Sequence, residues 1–132
     1  KAIGSSRYDG SKITYFNYKA YEQVKEVEVY LFNNSEYTFA VNTESAKKGL
    51  TIEVYDKAKS SNDRHLLKTI ESADGKQITF SSDELNKSMK KAVPEAVRLK
   101  RVYLDYIVPE DNNTSNNAMD QRGAIVLVMG YK

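Results

Sequence analysis

Three acidic side chains near the start of the chain have a spacing that paired catalytic carboxylates can show. Glu26 and Glu28 are two residues apart, and Glu36 follows in the next predicted strand. Side chains at i and i+2 of a strand share a face about 6 to 7 Å apart, near the separation of the two acids in a glycosidase. The alternative is a solvated sheet face with Lys or Arg across the ladder. Because Lys25 precedes the pair, we favour the solvated face.

Any other catalytic group would have to come from Lys, Ser, Tyr or the single His65, because the chain has no Cys. The missing sulfur excludes disulfides, thiolate nucleophiles and Cys-ligated metals. His65 follows Asp63 and Arg64, but neither a Gly-x-Ser-x-Gly nor a His-Glu-x-x-His pattern accompanies it. We interpret His65 as an ordinary residue at a strand end, and we predict no enzyme activity, no cofactor and no bound metal.

A polar stretch late in the chain alternates acidic and amide oxygens, as calcium-binding loops do. It spans residues 111–117, with Asp120 beyond. The Gly at the sixth position and the Glu at the twelfth position of such a loop are replaced by Asn116 and Arg122. We therefore predict that residues 109–122 form a flexible polar loop. A loop of this length is a candidate contact surface, with Asn113 and Asn116 as candidate binding residues.

The ten tyrosines separate into predicted core and predicted surface by their position in alternating strands. Tyr37 and Tyr131 share a face with apolar residues and are predicted to be buried. Tyr30 and Tyr55 share the faces of acidic residues and Thr, so we expect them to be exposed. If their strands are neighbours, they form with Glu28 a binding face for a protein or a glycan. The alternative is cross-strand pairing that only stabilises the sheet.

Length and charge limit the classes of protein that these residues can belong to. The chain has 132 residues and a mass of 15.0 kDa, with 20 basic and 18 acidic residues and a net charge of +2. This length predicts one domain, and the charge balance lacks the basic excess of a nucleic-acid-binding domain. No apolar run approaches the roughly 18 residues of a membrane span. We expect residues 1–11 to be a flexible leader and residues 12–132 to form a single domain.

Hydrophobic alternation with a period of two predicts the elements that must position these side chains. A helix is predicted at residues 82–93, because Ser81 and Glu84 form a capping box and Leu85 and Met89 begin an apolar stripe. Val97 to Val108 changes parity, which predicts a bulge near Lys100 and Arg101. Strands are predicted at residues 13–20, 26–32, 36–42, 50–56, 65–71, 77–80, 97–108 and 124–131.

Turn signals suggest how the strands are connected. The cluster Asn33-Asn34-Ser35 and the pair Asp74-Gly75 each predict a hairpin. The last predicted strand, residues 124–131, is apolar at nearly every position and should be central and covered on both faces. Many short strands with one short helix predict an all-β fold, an antiparallel β-sandwich of about eight strands.

The central strands resemble small exported β-sandwich proteins of Bacteroidota. The resemblance rests on the sequences of residues 27–32, 35–41 and 50–56, and on the closing segment 123–132. The same central run is similar, more loosely, to pre-peptidase C-terminal type sandwiches appended to secreted hydrolases. The resemblance implies a secreted, periplasmic or cell-envelope location and an accessory role. Export also agrees with a chain that begins at Lys1, as it would after signal cleavage or in a trimmed chain.

The sequence therefore predicts a non-enzymatic interaction module that binds a protein partner through Tyr30, Tyr55 and Glu28 or through the polar loops at residues 57–64 and 109–122. The alternative is a carbohydrate-binding module that uses the same residues to bind a surface glycan.

Overall fold

The fold is a β-sandwich of two four-stranded antiparallel sheets, as the sequence predicts. A computed structural model describes residues 7–32, 35–46, 49–111 and 122–131. One sheet has the strand order β1-β8-β3-β6 and the other has the order β2-β7-β4-β5. The elements are β1 (Arg7–Asn17), β2 (Gln23–Tyr30), β3 (Tyr37–Asn42), β4 (Thr51–Tyr55), β5 (Leu66–Ile70), β6 (Gln77–Ser81), α1 (Ser82–Ala92), β7 (Arg101–Val108) and β8 (Arg122–Tyr131).

The core lies between the two sheets and is built by the alternation visible in the sequence. Phe39 and Val41 of β3, Ile52 and Val54 of β4, and Leu104 of β7 are completely buried. In a strand, residues two apart share a face, so each of these strands turns one apolar set inward. The described part of the chain has no helix long and apolar enough to span a membrane.

Strand β8 is central, because it pairs with β1 on one side and with β3 on the other. Its inward residues Ile125, Leu127 and Met129 are buried, whereas Val126 and Val128 on its outer face are half-buried. The central position was predicted correctly, but the outer face is only partly covered. Its partner β1 begins at Arg7, so residues 7–11 belong to a strand, although the sequence predicts a leader there.

The two predicted hairpins are wrong, because β2 and β3 lie in different sheets and so do β5 and β6. Among the described strands, β4 and β5 are the one pair adjacent in both sequence and sheet. Gly75 does adopt the positive φ of a tight turn, +67°, but its N–H donates to the carbonyl of Thr43 at 2.8 Å. The turn therefore sends the chain across to the other sheet. This strand order is that of a jelly roll.

Helix α1 begins at the predicted Ser82 and ends at Ala92, one residue before the predicted end. Its N-terminus has the predicted Ser81 cap, with the backbone N–H of Glu84 donating to Ser81 Oγ. The segment after it differs from the prediction, because β7 begins at Arg101 and has no bulge near Lys100. Val97 is 80% exposed rather than in the core. The backbone N–H of Leu99 donates to the side chain of Asn86 at 2.8 Å, which holds this stretch against the helix.

Candidate functional site

The outer face of the sheet β2-β7-β4-β5 brings together three side chains from three strands. In the register of the sheet, Glu28 of β2 lies opposite Tyr103 of β7, and Tyr103 lies opposite Tyr55 of β4. We call these three residues the tyrosine row. Tyr30 and Tyr55 are on this same face as predicted, but their strands are not neighbours, because β7 runs between them. Tyr103, which lies between Glu28 and Tyr55 in this register, is not among the binding residues that the sequence predicts.

Hydrogen bonds fix the carboxylate at the end of the tyrosine row. The hydroxyl of Tyr103 donates to Glu28 Oε2 at 2.6 Å, and Arg101 Nη1 lies 3.4 Å from the same oxygen. The Tyr103 hydroxyl is the main cause that lowers the pKa of Glu28, and Arg101 adds to it. The same hydrogen bond raises the pKa of Tyr103. Glu28 is thus held as an ionised acceptor on the open face of the sheet.

The two tyrosines predicted to be exposed differ in their surroundings. Tyr55 is half-buried, because the guanidinium of Arg64 lies 3.6 Å from its ring centroid, and its hydroxyl donates to Glu53 at 2.8 Å. The prediction that Tyr55 is exposed is therefore wrong. Tyr30 is 47% exposed and stacks on Phe32, with the ring centroids 6.0 Å apart and the planes at 20°. Of the two tyrosines, Tyr30 is therefore the one whose ring is exposed on this face.

A cavity of about 630 Å³ adjoins Tyr30 where β2 ends and β7 begins. Phe32 and Val97 lie in its wall and are 55% and 80% exposed, which are large values for apolar side chains. We call this cavity the aromatic groove. Its lining includes Tyr30, Phe32, Val97, Arg98, Lys100 and Arg101.

The groove is assembled from two segments that are far apart in the sequence. Register places Tyr30 opposite Arg101, and the N–H of Leu31 donates to the carbonyl of Lys100 at 2.9 Å. Phe32 and Val97 lie at the ends of predicted strands, and the sequence pattern predicts a binding role for neither. In the sequence, Val97 and Leu99 alternate with Arg98, Lys100 and Arg101, and this mixed apolar and basic pattern could have indicated a binding surface here.

A second acid on this sheet has an environment unlike that of Glu28. Glu26 lies opposite Asp105 of β7, whose side chain is 2% exposed, and Arg64 Nη1 donates to Asp105 Oδ2 at 2.9 Å. Burial is the main cause that raises the pKa of Glu26 to about 7, and its hydrogen bond to Asp105 adds to the effect. The backbone N–H of Lys59 and the charge of Arg64, 3.9 Å away, act in the opposite direction.

Two of the three acids in the paired-carboxylate hypothesis are engaged with other side chains. Glu26 and Glu28 do share a face, but each is engaged with a neighbour on β7, and neither lines the aromatic groove. Glu36 is half-buried before β3, in the part of the chain that leads into the other sheet. The expectation of a charged partner across the ladder agrees with Arg101 beside Glu28.

The remaining sequence candidates have structural roles or fall outside the described residues. The backbone N–H of His65 donates to Asp56 at 2.6 Å, and its Nδ1 lies 3.1 Å from the other Asp56 oxygen. These contacts close the loop between β4 and β5. Within residues 7–32, 35–46, 49–111 and 122–131, no group of three His, Asp or Glu residues could hold a metal. Asn113 and Asn116 lie outside the described residues.

Comparison with known proteins gives only distant structural likenesses. No protein-family model and no curated protein matches the chain. A chain from Bacillus endospore appendages, described as a family of disulfide-linked pili, is 15% identical and has a TM-score of 0.42. The alignment covers 100% of the present chain and 94% of the other. A CBM4 structure is 9% identical with a TM-score of 0.37, covering 98% and 80% of the two chains.

Proposed function

We propose that the domain is a non-enzymatic accessory module that binds a protein partner in the aromatic groove, and that it does so outside the cytoplasm, secreted or at the cell envelope. The observation that carries the proposal is the exposure of Tyr30, Phe32 and Val97 around one cavity. Clustered exposed apolar side chains of this kind mark interaction sites, and aromatic residues dominate binding at protein interfaces. The size of the groove suits one or two partner side chains rather than a large flat contact.

The polar groups of the groove support binding rather than catalysis. Ser82 lies in its wall, but Ser82 Oγ accepts a hydrogen bond from the N–H of Tyr37 at 2.8 Å. A serine nucleophile needs a base within hydrogen-bonding distance. No imidazole or carboxylate occurs among the described residues that line the groove.

The test compares how tightly two double variants of the protein bind peptides. Phage-displayed random peptides are selected on the purified protein, and the enriched sequences are titrated by calorimetry. We expect Tyr30→Ala with Phe32→Ala to weaken binding at least about tenfold, because it removes the two stacked anchors. The matched control is Tyr15→Ala with Tyr21→Ala, which removes two tyrosines that are 74% and 61% exposed and lie outside the groove. Equal losses in both variants, or no enriched peptide, would overturn the proposal.

A carbohydrate-binding module is the second candidate, and the tyrosine row favours it. Glu28 and the Tyr103 hydroxyl form a polar pair on an open sheet face beside an aromatic ring. A glycan array distinguishes the two functions, since a sugar ligand would need these hydrogen-bonding groups. Glycan binding that is lost in Tyr103→Phe and kept in the groove variant would support the second function.

A further inference from the structure

We propose that the partner segment bound in the aromatic groove is acidic and carries an apolar side chain. The inference rests on the proposed function and specifies the chemistry of its partner. It follows from the charges of the groove wall and from the way its backbone is held.

The groove wall has a local excess of positive charge. Arg98, Lys100 and Arg101 all line it, and no acidic residue does so among the residues that the structure describes. Arg98 and Lys100 are exposed and form no ion pair with any described residue. Arg101 Nη1 forms an ion pair with Glu28 Oε2 at 3.4 Å, and the guanidinium carbon of Arg101 lies 5.6 Å from the ring centroid of Tyr30. At least two cations are thus available to a ligand.

This excess is local rather than a property of the whole chain. The net charge is only +2 over 132 residues, with 20 basic and 18 acidic side chains. Three bases within four positions therefore stand out, and they line the same groove as the exposed side chain of Phe32. Complementary charge at the rim of an apolar pocket selects the partner and increases the rate of association.

The backbone that carries the bases is fixed before any ligand binds. Leu99 donates its N–H to Asn86 of α1 at 2.8 Å, and Asn86 donates in turn to the carbonyl of Ser82 at 3.0 Å. On the other side, Lys100 accepts from the N–H of Leu31 at 2.9 Å. A preformed wall reduces the ordering that binding requires. The exposed rings supply the apolar contact and the preplaced bases supply the charged contact, so an acidic segment with an apolar tip matches both.

The experiment uses peptides selected on the full chain from the phage-displayed library, each paired with a version in which Glu is replaced by Gln and Asp by Asn. We expect the selected peptides to be acidic and to bind at least about tenfold more tightly than their neutral versions at low salt, with the difference shrinking as salt rises. Arg98→Glu with Lys100→Glu should remove the preference. Neither substitution breaks an ion pair among the described residues. The charge-matched control is Lys12→Glu with Lys19→Glu, which changes two exposed lysines outside the groove.

The outcomes separate this inference from the proposed function. Neutral peptides that bind as well as acidic ones, yet depend on Tyr30 and Phe32, would overturn the inference and leave the proposed function standing. No enriched peptide would overturn both. An oligothymidylate that competes with the peptides at equal charge concentration would show recognition of anions in general, which would also overturn an acidic protein partner.

Discussion

The protonation of Glu26 is coupled to folding. It is 18% exposed, hydrogen-bonds the buried side chain of Asp105 and accepts a hydrogen bond from the N–H of Lys59 at 3.0 Å. Asp105 Oδ1 is buried and has no hydrogen-bond partner among the described residues. Two ionised carboxylates this close repel each other, and Arg64 can offset only part of that repulsion. A proton on Glu26 relieves it.

We expect the free energy of unfolding to fall as the pH rises through this region. The pKa of Glu26 is raised from 4.5 to about 7 in the folded protein. The folded state therefore holds a proton that the unfolded state releases. The resulting stability is fully present below 4.5 and is lost by about pH 7, a change of up to roughly 3 kcal/mol. Glu26→Gln should remove this dependence, because the amide is neutral at every pH and still provides a donor.

Urea denaturation at pH 5 and pH 8 measures the difference in stability between the variant and the parent. Between pH 5 and pH 8, the free energy of unfolding of the variant should rise by about 2 kcal/mol relative to that of the parent. Glu28→Gln is the matched control, since Glu28 lies two residues along the same face and its pKa is lowered rather than raised. A pH dependence that persists in Glu26→Gln would show that Glu26 does not hold the proton.

At the scale of elements, α1 depends on its first turn. The helix has only 11 residues, and such a short helix is marginal without packing and capping. Leu85 is completely buried and Ser81 caps the N-terminus by accepting the N–H of Glu84 at 3.2 Å. Ser81→Ala should lower the free energy of unfolding by about 1 kcal/mol.

Equilibrium denaturation of Ser81→Ala and Ser81→Thr provides the check. The Thr variant keeps a hydroxyl acceptor and should retain most of the stability, so a deficit shared equally by both variants would argue against the cap. Because α1 holds the groove wall through Asn86, the Ala variant should also bind groove peptides more weakly.

Local sequence patterns predicted the strands and the helix well, but they did not predict which strands pair with each other. The Ser81 cap of α1 and the alternation of Phe39 and Val41 each depend on neighbours in sequence, and both are as predicted. The second half of the predicted capping box is not formed, because the Glu84 carboxylate pairs with Lys68 at 2.5 Å. The Asp74-Gly75 signal specified a turn correctly but not where the next strand would pair. Pairing in a sandwich is decided by which faces must be buried together, and that is a property of the complete core. Val97 was misplaced for the same reason, since its apolar side chain suits a core strand by pattern alone.

At the scale of the whole molecule, the candidate site is a consequence of strand order. The aromatic groove forms because β2 and β7, separated by about half the chain, are neighbours in one sheet. The sequence indicated Tyr30, which belongs to an alternating strand. It did not indicate Phe32, Val97 or Tyr103, because their importance arises from contacts between distant segments. The composition of the loop at residues 109–122 instead predicted Asn113 and Asn116 as binding residues, and these lie outside the described residues.

The same topology makes the C-terminal strand essential for the fold. β8 pairs with both β1 and β3, and it contributes Ile125, Leu127 and Met129 to the core. Deleting residues 125–132 would remove these side chains, each worth several kcal/mol when buried, and leave two strands without their central partner. Three such losses total about 6 to 15 kcal/mol, as much as the roughly 5 to 15 kcal/mol by which a whole domain is typically stable, so the truncated chain should not fold.

The measurement is a thermal melt of the truncated chain, followed by near-UV circular dichroism of its tyrosines. The expected result is insoluble protein, or soluble protein without a cooperative transition. Val126→Thr in the full-length chain is the control, because Val126 lies on the half-buried outer face of β8 and its replacement should leave a cooperative melt. A cooperative transition in the truncated chain would contradict the central role of β8, because the sheet β1-β8-β3-β6 cannot close without the strand that joins β1 to β3.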